Sequence, residues 1–143
     1  INLIYKNMPK PNELEKEQLK SVALPIWKNI IEASRNQDYA KFSRGFSSDL
    51  RGKLSEEHFR QSCIDFPLIT HIADDYEFIN SIQRENGISI LWRVTSTKYA
   101  GEFLGILTLH SGETGVEITG VSVNWRISHS MQMVTNNYKF LLE

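Results

Sequence analysis

The stretch YEFINSIQR (76–84), ENG (85–87), ISILWRVTSTKY (88–99), AG (100–101), EFLGILTLH (102–110), SGETG (111–115), VEITGVSVNWRI (116–127) decides the fold. Four runs rich in Ile, Val, Thr, Tyr and Trp are separated by short clusters of turn residues, the pattern of successive strands. Joins this short allow only antiparallel pairing between neighbours, so the four runs predict a meandering antiparallel sheet. The residues before them predict helices that cover one of its faces. The fold class expected is therefore α+β, with N-terminal helices packed in the concave face of a strongly curved antiparallel sheet.

Register decides which side chains share a face, because side chains alternate along a strand. Asn86-Gly87 predicts a type I′ hairpin. It sets Gln83 opposite Ile90, Ser81 opposite Trp92 and Ile79 opposite Val94. Ala100-Gly101 as the next turn sets Trp92 opposite Leu109 and Val94 opposite Leu107. One face then collects Ile79, Ser81, Gln83, Ile90, Trp92, Val94, Phe103, Leu107 and Leu109. In the last run Val116 and Ile118 have one parity and Val121, Val123, Trp125 and Ile127 the other, which predicts a β-bulge beside Gly120 and a bent sheet. The opposite face holds Phe78, Ile82, Leu91, Leu104 and Ile106 beside Asn80, Arg93, Thr95 and His110. Apolar residues on both faces call for a cover on each. The helices supply one; a second copy of the chain through Phe78, Ile82, Leu91, Leu104 and Ile106 is the expected other, making a homodimer.

Upstream, residues 1–11 carry two prolines and no period and are expected to be a loose arm, with residues 12–143 a single domain. Asn12 offers a helix cap with Glu15 in capping-box position. Leu19, Val22, Ala23, Ile26, Trp27, Ile30, Ile31 and Ser34 form one stripe of a long helix. Pro25 predicts a kink or break near Ala23, and the helix should stop around Asn36-Gln37. Asp38 caps a short helix with Tyr39, Phe42 and Phe46; Ser47 starts another through Leu50 and Leu54. Ser55 caps a third, whose acids Glu56 and Glu57 suit the helix dipole and which ends before Pro67. Leu68, Ile69 and Ile72 are candidates for a short edge strand. Beyond the sheet, residues 128–143 show a weak helical pattern in Met131, Val134, Tyr138 and Leu141.

The chain has 143 residues, net charge −1, 41% hydrophobic and 23% charged residues, ordinary values for one globular domain. With charges so balanced there is no overall field to draw nucleic acid or anionic lipid, and no basic strand face accompanies the aromatics. The Lys and Glu of residues 6–28 read as a solvated helix face. Cys63 is the single cysteine, which precludes an internal disulfide and the usual Cys ligand sets of structural zinc. His58, His71, His110 and His129 have no metal-ligand spacing, so neither metal nor other cofactor is expected. No apolar run approaches a membrane span of about 20 residues. The chain begins at Ile1 rather than Met, from which an upstream segment removed by processing or truncation is expected; the compartment, cytoplasmic or exported, stays open.

The segments IIEASRNQDYAKFSRGFSSDLR (30–51) and LSEEHF (54–59), with the strands ending GVSVNW (120–125), resemble the nuclear transport factor 2-like (cystatin-like) superfamily, notably its small bacterial members. The resemblance covers Leu14 to Ile127. It implies a cone, helices inside a curved sheet, and is architectural: the superfamily includes isomerase-, dehydratase- and cyclase-like enzymes as well as binding, scaffold and secretion-assembly domains. Its enzymes use Asp, His or Tyr projecting into the cone. The matching candidates for acid–base chemistry are His71, Asp74 and Asp75 at the mouth of the sheet, although a polar turn leading into a strand accounts for the same residues. Ser81, Gln83 and Trp92 put polar handles and an indole among apolar neighbours, the make-up of a small-ligand site; a core-filling Trp with two rim residues is the alternative. The leading expectation is a non-catalytic module binding a small apolar ligand or a protein partner. The alternatives are a lyase or isomerase using the His/Asp pair, and an assembly domain of an exported or membrane-tethered complex.

Overall fold

In the computed structural model, residues 10–11, 14–112 and 115–124 are described. Helix α1, Lys16–Arg35, starts one turn later than the Asn12 cap predicts. Glu15 is its N-cap, its carboxylate accepting from the backbone of Gln18 while the Gln18 side chain accepts from the Glu15 N–H. The expected break at Pro25 does not occur. Pro25 lies on the exposed side of α1, where the carbonyl of Ser21, also exposed, can turn to water instead of to the missing N–H. The stripe Leu19, Ala23, Ile26, Trp27, Ile30, Ile31 is buried throughout. The helix ends at Asn36, after which Gln37 takes the left-handed conformation at φ 53°.

Three short helices follow, each begun by the residue its sequence suggests. Asp38 caps α2 (Tyr39–Phe42), Ser47 caps α3 (Ser48–Lys53) and Ser55 caps α4 (Glu56–Asp65), each side chain accepting from a backbone N–H three residues on. An aromatic cluster ties them together: Phe42 lies 4.3 Å from Phe59 and 5.3 Å from Phe46, ring centre to ring centre, while the Tyr39 hydroxyl donates to the Leu54 carbonyl. Residues 68–72 do not form the edge strand predicted for them. Pro67–Thr70 is one turn of 3-10 helix, and Ile72 makes a single bridge to Ser96.

Four strands, β1 (Glu77–Gln83), β2 (Gly87–Thr95), β3 (Glu102–Gly112) and β4 (Gly115–Asn124), pair antiparallel in sequence order. The register differs from both hairpin predictions. Ser81 pairs with Ile90 and Gln83 with Ile88, because the first turn is made by Glu85 and Asn86, neither in a left-handed conformation. Gly87 is instead the first residue of β2, and a Cβ there would lie 2.1 Å from the Leu109 carbonyl oxygen. Close approach of β3, not turn geometry, fixes this glycine. The second connection spans residues 96–101, with Ser96 Oγ accepting from the Lys98 and Tyr99 N–H groups, and so sets Val94 opposite Phe103 and Trp92 opposite Gly105.

Those shifts on β2 and β3 are even in number, so the faces survive: Ile90, Trp92, Val94, Phe103, Leu107 and Leu109 all turn to the helices and are buried. On β1 a bulge intervenes between Phe78 and Asn80. It moves Phe78 opposite Trp92 onto the helix side and leaves Ile79, expected in the core, 48% exposed. Phe78 thus corrects its outer-face assignment. A second bulge at Thr119 falls beside Gly120, so that Val116 and Ile118 before it and Val121 and Val123 after it share the inner face. The two bulges curve the sheet around the helices. Residues 128–143, together with Trp125 and Ile127, lie outside the described residues, as does most of the N-terminal arm.

Candidate functional site

The inner face is organised by a glycine. Gly105 stands opposite Trp92 in mid-strand, and a Cβ on it would come within 2.6 Å of Cζ2 and Cη2 of Trp27. Trp27, carried by α1, fills that hole and stacks on Trp92, ring centres 5.4 Å apart and planes 5° from parallel. Tyr76 and Phe78 meet Trp92 edge-on at 6.1 and 5.9 Å. Both indoles are 0% exposed, and neither N–H has an acceptor among the described residues. Burial, with Asp74 and Glu32 adding to it and Arg35 opposing, raises the Tyr76 pKa. Of the expected ligand handles, Trp92 is therefore enclosed in the core; Ser81 is half-buried on the same face, and Gln83 is exposed near the hairpin.

The three acid–base candidates occupy one bend but do not converge. His71 Nδ1 lies 2.8 Å from the Pro67 carbonyl oxygen and 2.9 Å from Thr70 Oγ1. A carbonyl only accepts, so in the tautomer that carries its proton on Nδ1 the ring is tied to its own 3-10 turn. The His71 carbonyl accepts from Ser96 Oγ and the Thr97 N–H, which pins the bend to the β2–β3 connection. Asp74 is paired with Arg35 at 2.8 Å, and the same Arg35 nitrogen donates to the Ile72 carbonyl at 2.8 Å. Asp75 accepts from Thr95 Oγ1 at 2.6 Å, and its carbonyl accepts from Arg93. Both carboxylates are exposed, and each is turned to the end of another element rather than to the imidazole. What this arrangement does physically is clasp the C-terminal end of α1, the start of β1 and the end of β2. No triad of His, Cys, Asp or Glu able to hold a metal occurs among the described residues.

The outer face is built differently. Cross-strand neighbours place Leu91 beside Ile106, Arg93 beside Leu104, and Ile82 beside Ser89, which in turn neighbours Thr108. Ile82, Leu91, Leu104 and Ile106 stand outside the buried core cluster, and Ile82 is 51% exposed. Around them run Asn80, Thr108, Ser122 and Asn124, with Ser89 and Thr108 joined by a 2.9 Å hydroxyl bond. Arg93 sits at one side, 3.1 Å from Glu77 and 3.5 Å from Glu102; the hydrogen bond it donates to Glu77 raises its already high pKa. His110 pairs with Gly87 and Glu117 at the other end of this face.

Sequence reasoning missed the partnership of Trp27 with Gly105, the Arg35 clasp and the acidic flanks of Arg93. A glycine at an inward position in the middle of an apolar strand was the available signal for the first; the other two depend on the bend geometry. No helix among the described residues is long and apolar enough to cross a membrane. No family model matches the sequence, and no curated protein matches it.

Proposed function

We propose that this chain is a non-catalytic protein-interaction module of nuclear transport factor 2-like architecture, joined as a homodimer through the outer face of its sheet. The observation that carries this is the outer patch: Ile82, Leu91, Leu104 and Ile106 form an apolar centre outside the core cluster, and polar side chains ring it. An apolar centre with a polar rim is the anatomy of a protein interface. Arg93 is already flanked by Glu77 and Glu102, so a second copy would not bring two bare guanidinium groups face to face. Among the described residues the helices pack against the other face of the sheet, and we assign the outer one to a partner.

Catalysis is the weaker alternative because Asp74 and Asp75 are exposed and held by Arg35 and Thr95, whereas a working base needs its orienting partner within reach. A small-ligand role would rest on Ser81 and Gln83, since Trp92 is stacked on Trp27.

Native mass spectrometry with light scattering at tens of micromolar tests the dimer. The unaltered chain is expected to be dimeric, and Ile106→Glu or Leu104→Glu to be monomeric with an unchanged circular dichroism spectrum. A monomeric unaltered chain, or a dimer indifferent to both substitutions, overturns the proposal.

A further inference from the structure

We draw no further inference here: the strongest candidate, the stacked Trp27–Trp92 pair on the core side of the sheet with both buried indole N–H groups lacking an acceptor among the described residues, is enclosed by α1, Gly105, Tyr76 and Phe78, and nothing in the structure shows what those two groups would bond.

Discussion

The two faces of the sheet solve the same problem in opposite ways. On the inner face apolar side chains interlock with a helix: Trp27 enters the hole over Gly105, and Ile88, Ile90, Val94, Leu107 and Leu109 are buried around it. On the outer face the apolar side chains are fewer, interspersed with Ser89, Thr108 and Arg93, and stand apart from the core. Shape complementarity fixes the first, whereas composition alone describes the second. A substitution on the inner face should therefore read out as folding energy, and one on the outer face as association.

The largest effect expected is from Trp27→Ala, which removes both the stack and the plug of the Gly105 hole. Loss of a fully buried large aromatic costs about 3–5 kcal/mol, measurable as a fall in the urea midpoint; a loss under a third of that would mean that Trp27 is not the keystone described. Gly105→Ala should follow with about 1–3 kcal/mol, the usual cost of overpacking. Combining Gly105→Ala with Trp27→Phe should be less damaging than the sum, because a smaller ring vacates the space the new methyl needs; strict additivity in a double-mutant cycle would separate the two residues. On the other face, Ile106→Glu at its half-buried position, measured as a monomer, should cost about 1 kcal/mol, well below the inner-face losses.

Alkaline pH gives a smaller contrast within the inner half of the molecule. Burial pushes up the Cys63 thiol, with Arg60 opposing, and the Tyr76 phenol as described. Both groups bind their proton more tightly folded than unfolded. Their contribution is therefore complete below the ordinary values, 9.0 for the thiol and 10.0 for the phenol, and is lost as pH rises through the raised ones. Stability should decline above about pH 9, and Cys63→Ala with Tyr76→Phe should flatten that decline; an equally steep slope in the double variant would point to other groups. The smallest effect expected is Asp74→Asn, about 0.5 kcal/mol or less because the pair with Arg35 is exposed and screened. Arg35→Ala should exceed it, since the same guanidinium also holds the Ile72 carbonyl.

What could be read beforehand follows the same division. Parity along β2 and β3 was legible because burial alternates with every residue, and a mistaken pairing by an even number leaves each side chain on its face. The pairings themselves were not. Asn86-Gly87 has the composition of a mirror-image turn, yet Gly87 is used for its closeness to Leu109, and the six-residue connection after Thr95 is shaped by Ser96 hydroxyl bonds. The bulge at Thr119 was visible as a change of apolar phase. The bulge at Ile79 was not, for Phe78 and Ile79 are equally apolar and only the fold chooses between them. Helix caps at Asp38, Ser47 and Ser55 were legible because a local side chain makes them. Pro25 misled, since its effect depends on which side of α1 it occupies. Among the candidate site residues, the nearness of His71 to Asp74 and Asp75 in sequence did not reveal that a bend turns each toward a different element.

Residues 45–47 run alongside β4, where the Ser47 N–H donates to the Ile118 carbonyl at 2.9 Å and the Ile118 N–H to the Gly45 carbonyl at 2.7 Å. An open margin of a sheet invites strands of neighbouring molecules to add on, edge to edge. Here a piece of the helical segment occupies that margin at the midpoint of the last strand. Continuous sheet growth from β4 into fibres would first have to strip this segment away, and the Ser47 cap and Phe46 packing with it.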